Sequence, residues 1–233
     1  MESERAYTRV ERMIARLNGK RKLIIRDLPI TTLPPLPDNL EELVCYNTKL
    51  TALPATLPPR LRVLDITYTN TLTTLPDNLP NTLQNLQCFA SGLRTLPNRL
   101  PTSLIELDIS KTHITTLPDI ILPSLKLLEI NNTKITHVPD NIARNLTFLS
   151  CFEGKLKELP NTMDNIQYIG CMDCPIKSIP TNLPQTLNKL TLFRTLLPQQ
   201  VDKEETIDYI TRIDTFKRFS QELTGELEKR LVC

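Results

Sequence analysis

The chain has 233 residues and a mass of 26.6 kDa, with 40% hydrophobic and 23% charged residues, a core-forming composition that excludes wholesale disorder. Its 28 Lys and Arg against 26 Asp and Glu leave a net charge of +2, too balanced for the chain as a whole to bind nucleic acid or an anionic membrane. No window approaches the ~18 uninterrupted apolar residues of a membrane span. The opening MESERAYTRVERM is charged, with Glu2, Glu4 and Glu11, and fits neither a secretory signal nor a mitochondrial transit peptide. The expected address is a reducing, cytoplasmic one, in the protein's own cell or a host's, with export free of a cleaved signal or a place in a virion as alternatives. The chain holds 19 Pro against 5 Gly. That imbalance points to imposed extended structure and away from flexible loops.

The first predicted element is a helix over residues 4–18. Tyr7, Val10, Ile14 and Leu17 recur at helical spacing, and Asn18-Gly19 stops it. Residues 1–26 hold eight Arg or Lys against three Glu, which reads as a solvated helix face or as a docking surface for phosphate or an acidic partner.

A repeat follows. Units aligned on Leu-x-x-Leu begin at Leu40, Leu61, Leu83, Leu104, Leu125, Leu146, Ile166 and Leu187, in steps of 21, 22, 21, 21, 21, 20 and 21 residues. Apolar residues recur 3, 5, 10 and 13 positions into the unit and Pro at 14, as in Leu104, Leu107, Ile109, Ile114, Leu117 and Pro118. A degenerate copy with Leu23, Ile25, Ile30, Leu33 and Pro34 precedes them, making nine strand-forming segments. The Leu-x-x-Leu-x-(Leu/Ile/Cys) stretch alternates with period two and predicts a short strand with one buried face. The return, with Leu-Pro and often a second Leu-Pro (Leu57-Pro58, Leu79-Pro80, Leu100-Pro101, Leu183-Pro184), is predicted to be extended, because Pro removes a donor and biases its predecessor to β or polyproline II. No unit can bury its leucines alone, so neighbouring units stack around a shared core. All 19 prolines fall between Pro29 and Pro198. Beyond them Ile207, Ile210, Ile213, Phe216, Phe219, Leu223, Leu227 and Leu231 predict one or two further helices over 203–232. The expected division is an N-terminal helical cap over 1–19, a solenoid over 20–198 and a C-terminal helical cap over 199–233, since a stacked array exposes apolar surface at both ends.

Over residues 20–198 this pattern resembles the leucine-rich-repeat family, in its short bacterial-type class with Leu-Pro-x-x-Leu-Pro, whose best-known members are secreted effectors of the YopM and IpaH kind; similar repeats occur in proteins of large amoebal viruses. The resemblance implies an α/β-type solenoid, a horseshoe with a parallel β-sheet on its concave face and an extended or polyproline II convex side. One departure is systematic. Where the family places an Asn that bonds turn backbone, eight residues into the unit, this chain has Thr48, Thr69, Ser91, Thr112, Thr133, Gly154, Cys174 and Thr195. A hydroxyl can take over that role, and Gly154 cannot.

Catalysis finds no support in the residues. Cys45, Cys88, Cys151 and Cys171 occupy the buried fifth offset and Cys174 the Asn position, so the register explains them as small hydrophobes, and unpaired buried thiols favour a reducing compartment. Cys151 and Cys171 fall on adjacent rungs with Cys174 near, which marks the one place for oxidation or an adventitious metal; Cys233 is left unexplained. IpaH-type effectors carry a ligase domain with Cys followed closely by Asp. Cys171-Met172-Asp173 imitates it inside a repeat, but the ~35 residues after the solenoid are too few for such a domain. The two histidines, His113 and His137, lie in turn or return segments without a third partner, and there is no phosphate-binding loop. No cofactor or metal is expected.

What remains is the concave face, where offsets 2, 4, 6 and 7 are expected to project. Seven of the 11 aromatics fall there: Tyr46, Tyr68, Phe89, Phe148, Phe152, Tyr168 and Phe193. Aromatics facing solvent are enriched at protein interfaces. Asp65, Glu106, Asp108 and Glu129, with Glu42, occupy the first half and middle, while Phe148, Phe152, Tyr168, Met172 and Phe193 concentrate in the last third. The expectation is a groove with an acidic half and an apolar half, on a monomeric, non-enzymatic module that binds a protein partner. Nucleic acid is disfavoured by the acidic strip. The alternative is a structural or assembly component, virion or homo-oligomer, using its edges and the basic N-terminal helix.

Overall fold

The structure, a computed structural model, describes residues 2–178, 180 and 183–196. Its compact unit runs Met1–Leu196; a second unit, Leu197–Cys233, lies outside the described residues, and with it the helices expected over 203–232 and Cys233. Helix α1 (Glu2–Ala15) leads into nine strands: β1 (Lys22–Arg26), β2 (Glu42–Tyr46), β3 (Val63–Asp65), β4 (Asn85–Gln87), β5 (Glu106–Asp108), β6 (Leu127–Glu129), β7 (Phe148–Ser150), β8 (Tyr168–Gly170) and β9 (Lys189–Thr191). Each strand pairs in parallel with the next, so sheet order equals chain order. The pairing is in register with the repeat: Leu43, Leu64, Leu86, Leu107, Leu128, Leu149 and Ile169 line up in one column and are each 0% exposed. Burying one such side chain stabilises by roughly 1.5–3 kcal/mol. A one-residue slip would turn the column to water, and this is what fixes the register.

Each strand ends at a residue in the left-handed region. Asp27, Asn47, Tyr68, Ala90, Lys111, Asn132, Glu153, Asp173 and Arg194 all have φ between 50° and 58°. These are the seventh-offset residues, where the chain turns. The reason is the hydrogen bond the turn allows. From Asn47 to Asp173, each of these N–H groups donates to the carbonyl of the sixth-offset residue on the next rung, as in Ala90 to Ser110 at 2.9 Å and Asn132 to Phe152 at 2.7 Å. That bond offsets a conformational cost of about 1–2 kcal/mol wherever the residue is neither Gly, Asn nor Asp.

At the eighth offset threonine hydroxyls close the turn as expected, whereas the buried Ser91 hydroxyl has no hydrogen-bond partner among the described residues. Thr112 Oγ1 donates to the carbonyl of Ile109 at 2.6 Å, Thr133 to Ile130 at 2.8 Å, and Thr69 to Cys45 on the preceding rung at 2.9 Å. Cys174 Sγ does the same toward Cys151. In the extended returns the second prolines supply carbonyls, accepting from the leucine that opens the next unit: Leu61 from Pro58, Leu83 from Pro80 and Leu104 from Pro101, all at 3.0 Å.

Three departures have local causes. First, the 22-residue unit does not keep the common offsets: Leu72 and Leu75 fill the core one position late. The extra residue pushes the Asn70 carbonyl toward the next rung, where a Cβ on Gly92 would lie 2.2 Å from it, so only glycine fits. Second, the unit from Leu125 has a single helical turn, α2 (Asp140–Ala143), where an extended return was expected. No second proline follows Pro139 in this unit, so the N–H groups of Ala143 and Arg144 remain to donate to Pro139 and Asp140 at 3.0 Å. Third, α1 begins at Glu2, earlier than residue 4, and ends at Ala15, before Asn18 (φ 47°) and Gly19 (φ 80°) reverse the chain. Its inner flank buries Ala6 and Val10, Ser3 Oγ lies 3.1 Å from Thr31 Oγ1, and β1 is its neighbour in the sheet.

Candidate functional site

Three rows of side chains cross the solvent side of the sheet. The parallel register sets consecutive members of a row one rung, ~4.8 Å, apart. The middle row, at the fourth offset, runs through Asp65, Gln87, Asp108, Glu129, Ser150 and Gly170. It projects as expected but is not open: Asp108 is only 9% exposed, Ser150 1% and Val44 3%. As a contact residue Asp108 is therefore corrected to a buried carboxylate, one that accepts from the Ser110 N–H at 2.8 Å. Asp65 receives the matching bond from Thr67 N–H at 2.9 Å and is half-buried. Half-buried Glu106 accepts from Asn85 Nδ2, and half-buried Glu129 from Asn131 Nδ2 at 3.2 Å.

Of these carboxylates Asp108 and Glu129 stand directly opposite one another, without a cation. Among the described residues none of Asp65, Glu106, Asp108 and Glu129 makes an ion pair, whereas Glu42, one row over, is held by Lys22 Nζ at 2.8 Å. Burial, then the charge of Asp108 directly opposite on the neighbouring strand, pushes Glu129 up to about 7, against the lowering bond from Asn131. Burial likewise raises Asp108, opposed by its Ser110 bonds and reinforced by Asp65. Parallel stacking of like charges is unfavourable. The site therefore holds a proton or calls for a counterion that the described chain does not provide.

The aromatics gather on both flanks of this row, so the division into an acidic half and an apolar half is too simple. Tyr46, Tyr68 and Phe89 form an edge-to-face series with centroids 5.3 and 5.4 Å apart. Thr67 at the sixth offset is small, and Tyr68, turned by its positive φ, fills the gap between rings two rungs apart. A cation closes each end of the series: the Arg26 guanidinium lies 5.5 Å from the Tyr46 ring and Lys111 Nζ 5.1 Å from Phe89. Arg26 and Lys111 were not among the candidate residues. Arg26 could have been placed, since it stands at the sixth offset of the degenerate first copy.

The second group lies over β7–β9. Phe148 stacks on Tyr168 at 4.4 Å with 9° between the rings, and Lys189 Nζ stands 5.5 Å from Tyr168. The Phe152 ring and the Tyr168 hydroxyl converge over Gly170, where a Cβ would come within 2.7 Å of Phe152 Cζ and 2.6 Å of Tyr168 Oη. Phe152 therefore lies on the solvent side, over the next strand, and not in the core. Met172 is half-buried, and Arg194 covers one face of Phe193 at 5.1 Å. Tyr68 and Phe193, each 40% exposed, are the open members; the other rings are half-buried against each other.

The cysteines divide. Cys45, Cys88 and Cys174 are buried thiols, each raised by desolvation. Cys151 and Cys171, expected to be unpaired, are joined by a disulfide. They are the only consecutive pair in the fifth-offset column, and a Cα–Cα distance of 4.9 Å places both inward-pointing side chains within disulfide reach. Among the described residues no group of three His, Cys, Asp or Glu side chains could hold a metal ion, and no helix is long and apolar enough to cross a membrane.

No protein-family model and no curated protein sequence matches the chain. Solved structures do. The leucine-rich-repeat domain of a Shigella effector superimposes with a TM-score of 0.60 at 22% identity, covering 92% of this chain and 84% of that one. The leucine-rich-repeat domain of the type III effector XopL gives 0.55 at 22% identity, over 84% and 77%. YopM from Yersinia enterocolitica gives 0.41 at 20% identity, over 85% and 69%. In-register leucine columns, turn hydroxyls and proline returns agree with the first two superpositions: the chain has the leucine-rich-repeat fold, built from short units similar to those of bacterial effector domains.

Proposed function

We propose that the chain is a non-enzymatic interaction module whose sheet face, the concave one in this fold, binds a protein, with α1 as its N-terminal cap. One observation carries the reading: a row of carboxylates with no cation of its own runs between two groups of aromatic rings on a solvent-facing sheet. Tyr68 and Phe193 offer open apolar area, Phe152, Met172 and the Phe148–Tyr168 stack offer a firm platform, and Glu106 and Glu129 select a basic or polar complement. An effector-like role on a host protein and a viral one both extend the fold likeness. Three buried free thiols suit a reducing compartment, whereas the Cys151–Cys171 bond suits an oxidising one.

The test is co-purification from candidate host lysates, followed by titration of the captured protein. The Phe152→Ala and Phe193→Ala variants should each weaken binding by over ~1 kcal/mol. Unchanged affinity in both removes this face as the binding site. Light scattering on the purified chain decides the assembly alternative: a homo-oligomer at micromolar concentration favours it, a monomer argues against it.

A further inference from the structure

We propose that the exposed flank of α1 is a second docking surface, one that takes an acidic helix of a protein partner. Arg5, Arg9, Arg12 and Arg16 follow one another at intervals of 4, 3 and 4 residues. That spacing stacks them along one flank of the helix, in a row roughly 16 Å long and about 60° wide. Arg16 keeps the helical geometry beyond the last α1 residue, its N–H donating to the Arg12 carbonyl at 3.2 Å. All four are exposed, and Ala6 and Val10, about 110° round the helix from the stripe, are buried, so packing fixes the direction in which the arginines point.

The row is unpaired. None of the four has an ion pair or a side-chain hydrogen bond with another described residue, while Arg21 is held across the rungs by Glu41 and Lys22 by Glu42. Four guanidinium groups at one flank form a ladder of planar forks, and the fork is matched by a carboxylate.

The shape of the stripe selects the kind of anion. Glu4 and Glu11, two turns apart, lie about 120° round the same exposed face from the arginines, and Glu2 stands at the N-terminal end of the stripe beside Arg5. A bilayer or a nucleic-acid duplex broad enough to cover that face would bring its phosphates against these carboxylates. A bilayer would also need apolar anchors, and the exposed residues of the helix after Met1 offer only Ala15. A second helix is narrow enough to lie along the stripe clear of Glu4 and Glu11, where four arginines outweigh Glu2. Glutamates on it at matching intervals of 4, 3 and 4 residues would face the four forks in turn.

The test uses the full chain and a synthetic helical peptide carrying glutamates at those intervals on one face. Controls are a peptide of equal composition with the glutamates scattered around the helix, a single-stranded oligonucleotide and phosphatidylserine vesicles. By fluorescence anisotropy the patterned peptide should bind on the order of tenfold more tightly than the scattered one, which is the sum that four exposed ion pairs supply. Arg9→Gln with Arg12→Gln should abolish that preference with an unchanged circular dichroism spectrum. Arg9→Glu with Arg12→Glu should restore binding to a peptide bearing lysines at the two facing positions. Phe152→Ala with Phe193→Ala should leave peptide binding intact, which separates this surface from the sheet face. Equal binding of both peptides, unchanged binding by the Gln variant, or tighter binding of the oligonucleotide or vesicles than of the patterned peptide overturns the proposal.

Discussion

Replacing Glu129 by Gln should stabilise the protein at alkaline pH and leave it almost unchanged in acid. The carboxyl sits opposite Asp108 in the parallel register and is raised from 4.5 to about 7 by burial first and by Asp108 second. A carboxyl whose folded value lies above its unfolded one favours the native state while it is protonated. That contribution is fully present below pH ~4.5 and is lost as the pH rises through about 7. At 1.36 kcal/mol per unit the loss would be about 3 kcal/mol; solvent reaching the half-buried carboxyl reduces it to roughly 2 kcal/mol. Gln removes the charge and keeps an oxygen for the Asn131 amide, which donates to Glu129 at 3.2 Å. In thermal melts followed by circular dichroism, E129Q and wild type should differ by no more than ~1 °C at pH 4.5. At pH 8 the variant should melt roughly 4–8 °C higher, at ~2–4 °C per kcal/mol for a domain of this size. Glu42→Gln is the control, because Lys22 already compensates that charge and its removal should bring no gain. A difference between E129Q and wild type that is the same at both pH values would refute the account of the carboxylate row.

Three further perturbations address the fold itself. Gly92→Ala forces a Cβ against the Asn70 carbonyl and should lower stability by at least ~2 kcal/mol, read as a fall in Tm; a melt equal to wild type would show that the 22-residue unit has room to spare. Ala90→Gly should raise Tm by ~1–3 °C, since relief of the left-handed conformation (φ 51°) exceeds the added freedom of the unfolded chain; a lower Tm would place the strain elsewhere. Alkylation of the denatured, unreduced protein should label Cys45, Cys88 and Cys174 and spare Cys151 and Cys171 until a reductant is added, as mass spectrometry of the peptides would read; full labelling without reductant would mean that the pair stays reduced.

The strands and their order could be read from the sequence because parallel stacking repeats one environment: Leu107 meets the same surroundings as Leu86 and Leu128, so spacing alone locates the sheet. What escaped depends on neighbours across rungs. The left-handed conformation at the seventh offset was hidden because Tyr68, Ala90, Lys111 and Glu153 carry no preference for positive φ; an inter-rung hydrogen bond imposes it. The burial of Asp108 was hidden too, because alternation along a strand marks an outward position as open whatever its neighbours on other rungs do. The pairing of Cys151 with Cys171 was half legible: their adjacency followed from the register, but the reach of one sulfur to the other depends on side-chain geometry. Ring contacts such as Tyr46–Tyr68 join different offsets, so a reading along rows separates the partners.

Units of 20, 21 and 22 residues all deliver their strands to the same pairing, Val63 opposite Asn85 as squarely as Phe148 opposite Tyr168. The surplus residue of the 22-residue unit is taken up behind the sheet, at the Asn70 bulge. Length and surface are therefore decoupled: an insertion or deletion on the outer side leaves every ring and carboxylate of the inner wall at its place. Such a molecule can drift in its backing while the geometry of its grip is held constant.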